Sequence, residues 1–96
     1  MSLKFESVRN YNEEAVFRSV HDSAARYPML SDRPDLLADV ACVALNRLPP
    51  RYIRHIVDMR FFTNDEESAK NDAAVSAAVE FAFDFVRSRE GLRSPG

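Results

Sequence analysis

Three arginines, Arg47, Arg51 and Arg54, fall within eight positions of one another, with Tyr52 and His55 among them and Arg60 following. Guanidinium groups grip phosphate through paired, charge-assisted hydrogen bonds. An arginine plane and a tyrosine ring can stack on either side of a nucleobase. A nearby Asp58 or Asn46 can pair with the edge of a guanine. The residues sit around Pro49 and Pro50, where the chain is forced to change direction. Anion recognition at that break is the best-supported chemistry in the sequence. The competing explanation for Arg47 and Arg51 is local: cations after a helix C-terminus neutralise its unpaired carbonyls.

Other chemistries have less to work with. The histidines are His21 and His55, and His21 beside Asp22 reads as a solvated surface residue. Cys42 is the single cysteine, flanked by Ala41, Val43 and Ala44, and reads as a small buried hydrophobe. One thiol allows neither an internal disulfide nor a cysteine-rich zinc site. Gly91 and Gly96 are the only glycines, too few and too late for a phosphate-cradling loop. Asp39 and Asp58 could meet as a carboxylate pair, but their spacing does not require it. No enzymatic activity and no metal are expected.

The chain of 96 residues is long enough for one domain with its own core. Its net charge of -2 and pI of about 5.6 argue against bulk binding to nucleic acid or an anionic membrane, while leaving room for a small basic pocket. Residues Met1 to Glu6 lack the pattern of a signal peptide. The longest apolar-rich run, Ala73 to Val86, is broken by Ser76, Glu80 and Asp84, so no membrane span is expected and a cytoplasmic location is the default.

The elements that must position the cluster follow from periodicity. Phe5 and Val8 are expected to pack ahead of a first helix. Asn10 and Glu13 have capping-box spacing, with Asn12 as the alternative cap. Val16, Phe17, Val20, Ala24 and Tyr27 recur at helical intervals, which predicts a helix over residues 11–26 ended by Pro28. A second helix is predicted over residues 34–47, capped by Ser31 or Asp32, with Pro34 in its first turn. Leu36, Leu37, Val40, Val43, Ala44, Leu45 and Leu48 make its apolar face broad, so it should be central.

Pro49 and Pro50 stop that helix. Residues 51–61 then alternate, which predicts a strand; a loop over the helices and a further helix are the alternatives. No second strand is evident, so the strand is expected to pair with the same segment of a second copy. Thr63 and Glu66 form a capping box for a third helix over residues 64–89, stopped by Gly91 and Pro95. Asp72, Ser76, Glu80 and Asp84 make its one polar stripe. Its apolar excess predicts a subunit interface. The fold class expected is mainly α: three main helices and one short extended segment, dimerising, with a core over about residues 8–90 and a flexible tail over 91–96.

The run from Val8 to Val16, and above all Ala44-Leu-Asn-x-Leu-Pro-Pro-Arg-Tyr52, resembles the ComFB family of late competence development proteins, over roughly residues 8–88. The resemblance implies a small helical homodimer. It further implies a receptor that binds the second messenger cyclic di-GMP without catalysis and passes the signal to partner proteins governing competence, motility or surface lifestyle. The matching positions are Asn10 and Tyr11, then Asp39, Asn46, Pro49, Pro50, Arg51 and Tyr52, continuing through Arg54, His55, Asp58 and Met59. Some relatives hold zinc through several cysteines; with Cys42 alone, zinc is not implied here.

The reading that follows has Arg51 and Arg54 gripping phosphates or guanine and Tyr52 stacking or hydrogen-bonding. Asp58 or Asp39 would orient an arginine or bind a guanine edge, with Arg47, Asn46 and His55 beside them. Pro49 and Pro50 would fix the loop so that little ordering entropy is lost on binding. The rival is a ligand-free homodimeric interaction module whose arginines only cap and solubilise. Single-stranded DNA binding is a third reading, disfavoured by the acidic balance.

Overall fold

The computed structural model describes residues 3–55 and 64–93. Among them the order is a 3-10 turn (Phe5–Ser7), β1 (Arg9–Asn10), α1 (Glu13–Ser23) with a 3-10 extension (Ala24–Arg26), α2 (Pro34–Arg47), β2 (Tyr52–Ile53) and α3 (Asp65–Arg93). The mainly helical architecture expected from periodicity is what forms. Helix α2 packs most extensively against α3, and α1 packs against both.

At the start of α1 the alternative cap, Asn12, holds the N-cap position without a side-chain capping bond, and the Asn10 and Glu13 pair closes in one direction only. The Asn10 Oδ1 accepts from the Asn12 N–H at 3.0 Å, and the Asn10 N–H points back to the Glu13 carboxylate at 3.4 Å. The helix itself opens two residues later than expected, at Glu13, because Asn10 and Tyr11 are drawn into the strand pairing. Asn12 is buried, 1% exposed, and its Oδ1 accepts from Asn71 Nδ2 on α3 at 3.1 Å. Asn12→Ala removes the acceptor and leaves the Asn71 amide without that partner. The expected cost is about 1–2 kcal/mol, read as a lowered urea midpoint at unchanged slope.

Helix α2 has the predicted bounds, with Pro34 in its first turn. The expected caps Ser31 and Asp32 are not used. Arg33 holds the N-cap position without a side-chain bond, and the Ser31 hydroxyl turns back to the Pro28 carbonyl at 3.4 Å. Pro34 brings no N–H of its own, which leaves one donor fewer to satisfy. At the other end Leu48 swings to an extended conformation (φ -90°, ψ 146°), its N–H on the Leu45 carbonyl at 3.3 Å, and the prolines follow.

Helix α3 is capped by Asn64, whose Oδ1 accepts from the Glu67 N–H at 2.8 Å; the expected cap Thr63 lies outside the described residues. The helix passes the predicted end at Arg89 and runs to Arg93, so residues 91–93 are helix rather than the flexible tail expected there. A single helical glycine costs about 1 kcal/mol relative to alanine. Among the described residues nothing lies within 4 Å of where a Cβ on Gly91 would stand, and its φ is not positive, so neither space nor backbone conformation calls for a glycine there.

The core is a set of interleaved stripes: Val16 and Val20 from α1, Leu36, Val40, Ala41, Ala44 and Leu48 from α2 and its end, and Val75, Ala78, Val79, Ala82, Phe83 and Val86 from α3, closed by Leu30. Tyr27 stacks on Phe83, with ring centroids 4.2 Å apart and planes within 5°. Asp72, Ser76, Glu80 and Asp84 are all exposed, as their spacing predicts. Three expectations fail. Phe5 and Val8 are exposed rather than packed: they lie in and just after the 3-10 turn that precedes β1, and neither joins the core. Phe17 is exposed at the edge of the α1 stripe. Cys42 is exposed, since the buried side of α2 runs through its neighbours Ala41 and Ala44 and leaves Cys42 outside with Asp39 and Asn46.

Candidate ligand-binding site

The lone strand expected over residues 51–61 has a partner within the chain. β2 pairs antiparallel with β1, Arg9 opposite Ile53 and Asn10 opposite Tyr52, so the premise that the chain holds no second strand is overturned. Two residues are too few for alternation to announce a strand. The Tyr11 N–H donates to the Arg51 carbonyl and extends the ladder to the foot of α1. Residues 56–61 of the predicted strand, and with them Asp58, lie outside the described residues.

The prolines and this pairing together fix the cationic cluster. Pro49 and Pro50 deliver Arg51 to the start of β2, and the ribbon ties the segment back to the N-terminus of α1. Arg51, Tyr52, Arg54 and His55 are all exposed, Tyr52 by 69%. The Arg54 Nε donates to the Ser7 hydroxyl at 3.2 Å, which steadies the guanidinium stem, and among the described residues its terminal nitrogens have no hydrogen-bond partner. Arg54 and His55 line a hollow of about 420 Å³ with Arg9, Asn10, Tyr11, Glu13, Glu14 and Ile53. That volume falls within the range of small-molecule sites.

The predicted residues on α2 go elsewhere. Arg47 lies over the Phe81 ring of α3, its Cζ 3.8 Å from the centroid. Asn46 donates through Nδ2 to the Cys42 carbonyl at 2.9 Å, one helical turn back. Asp39 lines a different hollow, of about 270 Å³, with Cys42, Val43, Arg89 and Glu90 among its walls. The structure thus gathers Arg51, Tyr52, Arg54 and His55 on the ribbon and places Asp39, Asn46 and Arg47 on a helix with other neighbours. The residues that sequence reasoning missed are Arg9, Glu13 and Glu14. The only signal for them was the Asn10–Tyr11 match beside them, because β1 is too short to read.

The family model described as late competence development protein ComFB matches residues 9–90. The chain belongs to this family. No curated protein and no solved structure matches it. The ComFB match opens on Arg9, the first residue of β1, and closes on Glu90 near the end of α3, so it takes in the ribbon, the hollow and all three described helices. Among the described residues no helix is long and apolar enough to cross a membrane, and no three His, Cys, Asp or Glu side chains group to hold a metal ion.

Proposed function

We propose that this ComFB protein is a non-enzymatic receptor for cyclic di-GMP that works as a homodimer in the cytoplasm and relays the signal to a partner protein. The observation that carries the reading is the ribbon itself. It gathers four residues singled out for phosphate and base recognition on one short segment and brings two of them, Arg54 and His55, into the wall of one hollow, with a further arginine contributed from β1. A cyclic dinucleotide offers two phosphates and two bases, which matches a set of guanidinium forks beside an aromatic ring. Arg51 and Arg54 take the phosphates, Tyr52 stacks on a base, and the prolines keep the segment in place before the ligand arrives.

The dimer is supported by the outer side of α3. Ala74, Ala77, Phe81 and Phe85 form an exposed stripe at helical spacing, with Phe81 39% and Phe85 40% exposed. The ring centroids of the two phenylalanines lie 6.0 Å apart. Small residues at one end and aromatic rings at the other allow a second α3 to approach closely. The outer edge of β2 gives the two copies a second place to meet. Calorimetric titration with cyclic di-GMP at low salt tests the receptor. Saturable heat is expected, and none at high micromolar ligand overturns it.

A ligand-free interaction module is the second reading. It is favoured by an apolar groove of about 500 Å³ between α1 and α2, walled by Phe17, Leu37, Ala38, Ala41 and Leu45. In that case the arginines of the ribbon affect only stability.

A further inference from the structure

The hollow beside the ribbon is mixed in charge. Arg9, Arg54 and His55 come to it from the ribbon and its end, and Glu13 and Glu14 from the first turn of α1. A site for phosphate alone gains nothing from carboxylates, which repel it. Glutamates in the first turn of a helix are ordinarily explained by the helix dipole. Glu13 meets that need, being half-buried and turned back on the Asn10 N–H. Glu14 is exposed on the hollow, and among the described residues it has no ion-pair partner.

A carboxylate beside an arginine matches the two edges of guanine. The Watson–Crick edge presents two donors, N1–H and the exocyclic amine, in line with the two oxygens of a carboxylate. The other edge presents two acceptors, O6 and N7, which suit a guanidinium fork. Adenine fails both tests. Its N1 is an acceptor that meets the carboxylate with like polarity, and its amine stands where O6 would accept.

Resting on the receptor reading above, we propose that Glu14 and Arg9 form a guanine-reading subsite, Glu14 accepting from the Watson–Crick edge and Arg9 donating to O6 and N7. The ribbon register makes this possible. Opposing residues on paired strands share a face, so Arg9 stands on the side of Ile53, and both line the hollow at the foot of α1. Phosphate recognition by Arg51 and Arg54 and base recognition by Arg9 and Glu14 are then neighbouring but separate tasks.

The test compares cyclic di-GMP with cyclic di-AMP by calorimetry on the full chain, for the unaltered protein, Glu14→Gln and Arg9→Ala. Circular dichroism confirms that each variant is folded. The unaltered protein should prefer cyclic di-GMP. Glu14→Gln should weaken cyclic di-GMP about ten- to a hundredfold while leaving cyclic di-AMP unchanged, so that the preference narrows or disappears. Arg9→Ala should act in the same direction. Full retention of affinity and preference in Glu14→Gln overturns the subsite and leaves the receptor standing, as does equal binding of both ligands by the unaltered protein. Binding of neither ligand by the unaltered protein overturns the receptor and the subsite together.

Discussion

Phe83→Ala is expected to cost about 3–5 kcal/mol, the range for removing a fully buried aromatic side chain. Phe83 is 0% exposed and stands where α3 meets the 3-10 turn after α1. Its ring lies against Tyr27, and the Arg87 guanidinium covers the Tyr27 ring with Cζ 5.6 Å from its centroid. Truncation opens a cavity under that pair and removes the stacking together with the transfer term. A 96-residue chain has about 5–14 kcal/mol in all, so much of it goes. The melting temperature should fall on the order of 15 °C or more. Phe85→Ala is the contrast. Phe85 lies two residues on and is 40% exposed, so the folded chain should lose little while self-association weakens. Thermal unfolding at several concentrations reads both effects. Equal losses from the two substitutions would mean that burial of Phe83 against Tyr27 does not carry this share of the stability.

The difference between those phenylalanines shows where the sequence was readable. The polar stripe of Asp72, Ser76, Glu80 and Asp84 marked one side of α3, but a helix of this composition is apolar on the rest of its circumference. Periodicity alone could not say which apolar residues face the core and which stay outside. Cys42 departs for the same reason on α2: its neighbours in sequence are apolar, but the helix turns it away from the side they bury. Long helices with a proline or a cap at the boundary were legible, as α2 shows, because one strong local signal fixes each end. The end of α3 was not, because Gly91 is a weak stop when nothing demands a turn.

The site was legible on one strand only. Arg51, Tyr52, Arg54 and His55 announced themselves as cations and an aromatic beside a double proline. Their partners across the ribbon lie about forty residues away. A two-residue strand carries no period of its own, and its pairing is decided by the tertiary route of the chain. Arg9 and Glu14 therefore surfaced only once Arg9 stood opposite Ile53. The α2 positions show the reverse. Asn46, Arg47 and Asp39 were close to the break in sequence, but a helix points successive residues in different directions, and each found its own neighbour.

Replacing Arg51 and Arg54 together by alanine is expected to abolish cyclic di-GMP binding while leaving the fold intact. Each guanidinium–phosphate hydrogen bond is worth about 1.5–3 kcal/mol, so the pair accounts for roughly a hundred- to ten-thousandfold in affinity. Both side chains are exposed, and among the described residues the substitutions remove one hydrogen bond, from Arg54 to Ser7. Stability should therefore move by no more than about 0.5 kcal/mol. Binding by the unaltered protein should also weaken as salt rises, since exposed charges meet an exposed anion. Lysine at the two positions should recover part of the affinity, restoring charge without the planar fork. These outcomes separate phosphate recognition from a merely solubilising role, because a cap or a surface charge would shift the urea midpoint and leave the titration unchanged. A double variant that binds cyclic di-GMP as tightly as the parent would remove the ribbon from the site.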